Sequence, residues 1–212
     1  MSIRTHCLRA GKYLRRHGLK SSMKRIWREV QNRILYNREI LYCQNLLHGE
    51  FECQAMPENF RIERYDERSE VPERLLKRIA EHYSEELMQD HIRKRFEKGA
   101  RLWWLMNDTE DIGYTWTLEG RATEPYYFPL MKGDVYFFDA LIFPSLRGRG
   151  LNSILLNHIL KHYKSEGYHR AFLETAEWNT AVMKFMLKND FVRIGLARKR
   201  FRRGKCKVTW WY

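Results

Sequence analysis

Two carboxylates and one glycine turn are the residues of this chain best placed to do chemistry. Asp139 lies inside the apolar run Tyr136-Phe137-Phe138-Asp139-Ala140-Leu141-Ile142-Phe143. Withdrawal from water would make its carboxylate a stronger base, suited to taking a proton; an acid satisfied by backbone or by an arginine is the structural alternative. Glu174 closes the run Arg170 to Thr175 and is a second proton-transfer candidate, with a solvated strand end as the alternative. Between them, Arg147-Gly148-Arg149-Gly150-Leu151-Asn152 follows Pro144 and leads into a helical pattern. A glycine turn that opens a helix presents free N–H groups and the positive end of the helix dipole, which together hold a phosphate. Neither the GxxxxGK[ST] nor the GxGxxG spacing is present, so the phosphate is not placed by either of those loops.

Other candidates carry less. His158 and His162 stand four apart on the following helix, a spacing that can chelate a metal, but no acidic ligand pattern such as HExxH accompanies them, and packing or surface histidines are the expected reading. No metal site is expected. Cys7, Cys43, Cys53 and Cys206 form no CxxC pair and fit free thiols in a reducing compartment. The tryptophans show no base-stacking platform, and nucleic acid is not an expected partner.

The elements that must position these groups can be traced along the chain. Residues 3 to 36 read as one or two basic amphipathic helices, with Ser21-Ser22 as an N-cap for the segment from Met23. Ile40 to Cys43 and Phe60 to Tyr65 are expected strands. Ser69 is expected to cap a helix with Pro72 in its first turn and Leu75, Leu76, Ile79 and Tyr83 on one face; a second helix ends at Gly99. Leu102 to Met106 and Ile112 to Leu118 form a hairpin around Asn107 to Asp111. Glu119 to Gly133, with Tyr126-Tyr127-Phe128, is a longer loop of the kind that lines sites. After the strand, glycine turn and helix from Asp134 to Tyr163 come a strand at Arg170 to Thr175, a helix at Asn179 to Lys188, and strands at Phe191 to Leu196 and Lys207 to Tyr212, the last two joined by a very basic connection. The pattern is mixed α/β: residues 1–40 as a basic helical extension and 41–212 as one domain.

Charge sharpens that division. The net +13 is distributed as +9 over residues 1 to 40, −4 over 41 to 190 and +8 over 191 to 212. A mildly acidic body between basic ends is compatible with an anionic membrane surface or an acidic carrier protein as partner. The apolar stripe of the N-terminal helix can equally cover its own domain or a second subunit, which would make a homodimer. No apolar run is long enough to span a bilayer and no apolar segment follows the early basic residues, so the expected location is the cytoplasm, with peripheral membrane attachment as an option.

Two motifs in order turn this pattern into a resemblance. Arg147 to Asn152, read with the strand before and the helix after, resembles the coenzyme A signature Arg/Gln-x-x-Gly-x-Gly/Ala of the GNAT N-acyltransferase superfamily, with Asn152 in place of the final small residue. Asn179 through Phe191 resembles that family's Asn-x-x-Ala-x-x-Leu-Tyr-x-x-x-Gly-Phe element at the same spacing; Val182, Phe185, Met186 and Asp190 replace its Ala, Leu, Tyr and Gly. The resemblance covers residues 60 to 212.

It implies a GNAT-like mixed, mostly antiparallel sheet with a central splayed parallel strand pair and helices on both faces. It also implies acetyl-coenzyme A, or another acyl-coenzyme A, as donor, wedged between the strands at 136–143 and 170–175. The amides of Arg147, Gly148, Arg149, Gly150, Leu151 and Asn152 would take the pyrophosphate, and the backbone around Leu141, Ile142 and Phe143 would meet the thioester carbonyl. Asn179 joins the donor-binding set. Many family members place a proton-donating tyrosine where this chain has Met186, whose thioether cannot donate; Tyr126, Tyr127, Tyr136 or water are the replacements. The implied activity is N-acetyl transfer to a primary amine of a small molecule, such as an amino sugar or amino acid derivative. The alternatives are transfer from an acyl carrier protein, and a noncatalytic coenzyme-binding or membrane-surface module.

Overall fold

The computed structural model describes residues 23, 27, 38–48, 56–82, 85–120, 130–202 and 205–211. The N-terminal amphipathic helices and the Tyr126-Tyr127-Phe128 cluster lie outside the described residues. In chain order the strands and helices are β1 (Arg38–Asn45), β2 (Phe60–Tyr65), α1 (Glu73–His82), α2 (Glu85–Glu97), β3 (Arg101–Asn107), β4 (Asp111–Glu119), β5 (Asp134–Ile142), α3 (Leu151–Ser165), β6 (Arg170–Ala176), α4 (Thr180–Lys188), β7 (Val192–Arg202) and β8 (Lys205–Trp211). The chain divides into two compact units, Met1–Asn37 with Glu67–Lys98, and Arg38–Asp66 with Gly99–Tyr212.

Between Glu67 and Lys98 the described part of the smaller unit holds α1 and α2. Ser69 does not cap α1: it sits inside a 3-10 turn, Arg68–Glu70, that is closed by a capping box between Glu67 and Glu70. Pro72, unable to donate, supplies the carbonyl that accepts from Leu75 and Leu76 at 2.9 and 3.3 Å and so starts α1. Leu75, Leu76 and Ile79 are buried along one stripe, as their three- and four-residue spacing demands.

The larger unit is built on an eight-stranded sheet in the order β2-β3-β4-β5-β6-β1-β7-β8, antiparallel throughout except for the β5–β6 pair. Its first strand is also one of its central ones. Ile40, Leu41 and Tyr42 are all buried because β1 pairs with β6 on one side and β7 on the other, and has both faces covered. β1 begins at Arg38, so the division expected between residues 40 and 41 falls within this strand. β3 and β4 hairpin around Asn107, whose Oδ1 accepts from the amides of Thr109 and Glu110 at 2.9 and 2.7 Å. The stretch expected as a basic connection near residue 200 is strand: β7 runs to Arg202 and β8 starts at Lys205.

α3 lays Leu155, Leu156, Ile159, Leu160 and Tyr163 against Val135, Phe137, Ala171 and Leu173 of the sheet, and α4 adds Met186 to the same core. Tyr163 reaches through it to share a 2.7 Å hydrogen bond with Thr117, which also accepts from Trp103 Nε1 at 2.8 Å. Asp190, which replaces a glycine of the family element, follows α4 with φ 59°. A left-handed residue with a Cβ is strained there. Asp190→Gly is therefore expected to stabilise the chain by about 0.5–1 kcal/mol, read as a rise in the urea midpoint with unchanged slope.

Candidate active site

The site starts from the one parallel pair. Strands β5 and β6 are in register from Asp134↔Arg170 to Phe137↔Leu173, and beyond that they have no pairing. Their paired end is clamped: Arg170 donates from Nε and Nη2 to the two Asp134 oxygens at 2.8 and 2.9 Å, and Asp134 Oδ2 also accepts from the Met131 amide at 2.8 Å. The other end is forced open from the β4 side. β4 and β5 pair at Tyr114↔Leu141 and Trp116↔Phe138, so Asp139 and Ala140 together oppose Thr115. Two residues against one is a β-bulge, which bends its strand and raises its twist. Asp139 absorbs the bend with φ 51°, a conformation that aspartate tolerates better than most side chains. Gly113 allows the close approach beyond the bulge, since a Cβ there would run into the Leu141 carbonyl oxygen.

The gap between the strands is a cavity of about 460 Å³. Phe137, Phe138, Asp139 and Ala140 line it from β5, Leu173, Glu174 and Thr175 from β6, with Asn152, Leu155 and Leu156 of α3 and Val182, Phe185 and Met186 of α4. Successive residues of a strand point to opposite faces. Because successive residues of both strands line it, the cavity threads the sheet instead of resting on one face.

Asn152, in the first turn of α3, is part of that wall; Arg147 to Leu151, the glycine turn just before it, are not. Gly148 and Gly150 adopt φ 81° and 76°, and Gly150 is the N-cap of α3 without any side-chain cap. The first hydrogen bond of α3 runs from the Ser153 amide to the Gly150 carbonyl at 2.9 Å, which leaves the Leu151 and Asn152 amides without a helical acceptor. Nothing stands within 4 Å of a Cβ built at Gly148, so the space over the turn is open. This is the open amide cradle that a pyrophosphate requires. Arg147 is turned away from it: its Nε donates to the Ile142 carbonyl at 2.9 Å and ties the turn to the end of β5.

The expected residues do not all converge. Asp139, Glu174, Asn152 and Asn179 reach the cavity wall. Asn179 is also the N-cap of α4, accepting from the Val182 amide at 3.4 Å. Leu141, Ile142 and Phe143 do not line the cavity: Leu141 is in ladder register with Tyr114, and the Phe143 amide is spent on the Ile112 carbonyl at 2.9 Å. The positions of β5 outside the ladder register are Asp139 and Ala140. Asp139 is half-buried at this bulge and not enclosed within a regular strand, because the bulge lifts it out of the apolar run in which it is written. His158 and His162 pack edge-on against Trp103, with centroids 6.3 and 5.0 Å away. Among the described residues no group of side chains is arranged to hold a metal.

Two features escape a reading of the sequence. Thr115, opposite the bulge, is buried at 3% exposure, lines the cavity, and has no hydrogen-bond partner for its Oγ among the described residues. Such a group calls for a polar partner entering the cavity. Glu174 is hydrogen-bonded to Glu39 of β1 and to the Tyr136 hydroxyl, and burial first, then the Glu39 charge, push its carboxyl far above the ordinary carboxylate range. No local motif marks Glu39, whose role arises from strand pairing alone.

A cavity between the splayed ends of one parallel strand pair, with the first turn of a helix that has no side-chain cap in its wall, is the feature on which this mixed α/β sheet is built. The chain belongs to the acetyltransferase (GNAT) family, whose model matches residues 65–191. The fold is shared with a tandem GNAT protein from the clavulanic acid biosynthesis pathway (13% identity, TM-score 0.56, covering 75% of this chain and 51% of that one). It is shared too with an acetyltransferase described as putative, of the GNAT family, from Novosphingobium aromaticivorans (12%, TM-score 0.52, 77% and 62%). A conserved protein of unknown function from Staphylococcus epidermidis is also similar (9%, TM-score 0.53, 81% and 64%). The chain thus spans about half to two thirds of these structures. Comparison with curated proteins gave no match.

Proposed function

We propose that this chain transfers an acetyl group from acetyl-coenzyme A to a primary amine of a small molecule, of the amino sugar or amino acid derivative class, in the cytoplasm. The observation that carries this reading is the cavity between β5 and β6, which runs through the sheet and opens beside the bare N-terminus of α3. Coenzyme A would supply the thioester that activates the acyl group. The chain's own residues do the rest: the Gly148 to Asn152 amides hold the pyrophosphate, Thr115 offers a hydroxyl to the pantetheine arm, and the bulge at Asp139 and Ala140 faces the reacting carbonyl. Asp139 and Glu174 are the two carboxyl groups on the wall, and proton transfer is assigned to them. Met186, buried at 4% exposure in the same wall, supplies packing and no proton.

Isothermal titration of the full chain with acetyl-coenzyme A tests the donor. Binding in the micromolar range is expected, and no heat at high micromolar ligand would remove the reading. Gly150→Val places a β-branched residue at φ 76°, strain worth about 1–2 kcal/mol, so affinity should fall about fivefold to thirtyfold as the turn relaxes away from its present shape. A second donor is favoured by one feature: Arg198 to Lys207, spanning the β7–β8 hairpin at the sheet edge, has seven basic residues in ten. An acidic acyl carrier protein would dock there, and activity with it that vanishes in high salt, without activity on acetyl-coenzyme A, would transfer the proposal to that donor.

A further inference from the structure

The pairing of β1 with β6 brings together two acids that lie far apart in the chain. Leu41 stands opposite Glu174 and Glu39 opposite Ala176, so Glu39 and Glu174 are diagonal neighbours on one face of the sheet. Their carboxyl groups are hydrogen-bonded to each other. Two carboxylates both accept and neither donates, so this bond exists only while the pair keeps one proton. Tyr136, buried on β5 of the same face, donates to Glu174. Arg38, the neighbouring charge on β1, alternates to the other face, where it pairs with Glu177 at 3.7 Å. Opposite Glu39 on β7 stands the uncharged Ala197. Asp139 lines the same cavity from β5. The pair therefore sits in a setting where Glu39 and Tyr136 are the groups that tune Glu174.

We propose that Glu39 and Glu174 form a proton-sharing carboxyl pair in which Glu174 is the proton donor to the departing sulfur, doing the work for which Met186 has no hydroxyl. The inference rests on the acyl-transfer reading above. In the step, the amine nitrogen forms a bond to the acyl carbon and the carbon–sulfur bond breaks, its electron pair going to sulfur. Glu174 gives its proton to that sulfur, and the resulting carboxylate takes the proton lost from the nitrogen, which restores the pair. Glu39 is a positioning residue: its charge keeps the proton on Glu174, whose carboxyl is held above neutrality by burial and by Glu39 and lowered by the Tyr136 hydroxyl. Because the acid form works, activity is present below the raised value and is lost as pH rises through it.

The test uses the full chain with carboxyl carbons of glutamate labelled with carbon-13, and acetyl-coenzyme A with hydroxylamine as a small acceptor that is already neutral at pH 7. One glutamate carboxyl should titrate above neutrality by NMR, vanish in Glu174→Gln, move down by at least one pH unit in Glu39→Gln, and move up in Tyr136→Phe. The alkaline limb of the turnover rate should shift by the same amounts in the same opposite directions, and Glu174→Gln should lose about a hundredfold in kcat. No carboxyl titrating above pH 6, or equal limbs in Glu39→Gln and Tyr136→Phe, overturns the pair. Acetyl-coenzyme A bound with no turnover, or Glu174→Gln within twofold of the parent, overturns the donor role. Failure to bind acetyl-coenzyme A at all removes the function proposed above, while the titration still decides the pair.

Discussion

Arg170→Met is expected to lower the unfolding free energy by about 3–5 kcal/mol, the range for stranding one charge of a buried ion pair. The stranded charge would be Asp134, which is 2% exposed and, among the described residues, would keep the Met131 amide as its partner. Its partner differs, since Arg170 remains 36% exposed at its side chain and can stay solvated alone. Asp134→Asn should therefore cost less, about 1–2 kcal/mol for weakened hydrogen bonds. The double variant should be less destabilised than the sum of the two, because the methionine stem can still cover Phe172 and no buried charge is left. Urea unfolding of the four chains measures this directly. Equal and additive losses would show that the fork between the strands is not a coupled unit. The effect also concerns the site: this clamp fixes the end of the parallel pair from which the strands diverge, and loosening it should widen the spread of cavity shapes and weaken donor binding along with stability.

The strand, glycine turn and helix from Asp134 onward were legible in the sequence because each relies on local rules. β-branched and aromatic residues favour the strand, Gly148 and Gly150 provide the positive φ values, and the spacing of Leu155, Leu156, Ile159 and Tyr163 builds one helix face. The rest depends on which strand lies beside which, information that no window of residues contains. Asp139 read as an acid enclosed in an apolar strand; its place in a bulge is decided by the two-against-one register with Thr115 on β4. The strand at Ile40 was visible, but not its seat between β6 and β7, so Glu39 gave no sign of meeting Glu174. The length of β7 was hidden for a different reason. Its basic second half lacks the apolar alternation that marks a half-buried strand, and it is held by backbone pairing with β8.

The place of β1 leads to the second large effect. With the order β5-β6-β1-β7, β1 joins the strands that line the cavity to the β7–β8 hairpin, and among the described residues β6 and β7 have no contact in the ladder except through it. Leu41→Pro removes an N–H from a strand that is paired on both sides and adds a ring where Leu41 is buried at 4% exposure beside Tyr136 and Phe172. At about 1–3 kcal/mol for the carbonyl left without its ladder donor and about 2–5 for the lost packing, the sum reaches the lower range of the whole stability of an ordinary domain. The expected result is a chain without a cooperative thermal transition. Leu41→Ala, which keeps the ladder, should still unfold cooperatively at a lower temperature. A Leu41→Pro chain that melts within a few degrees of the parent would mean that β6 and β7 do not need this strand to stay in one sheet. If the ladder is as essential as its position requires, the carboxyl pair between Glu39 and Glu174 forms only when β1 has paired with β6, across some 135 residues of sequence, and the proposed proton donor is then assembled by the same long-range closure that completes the sheet.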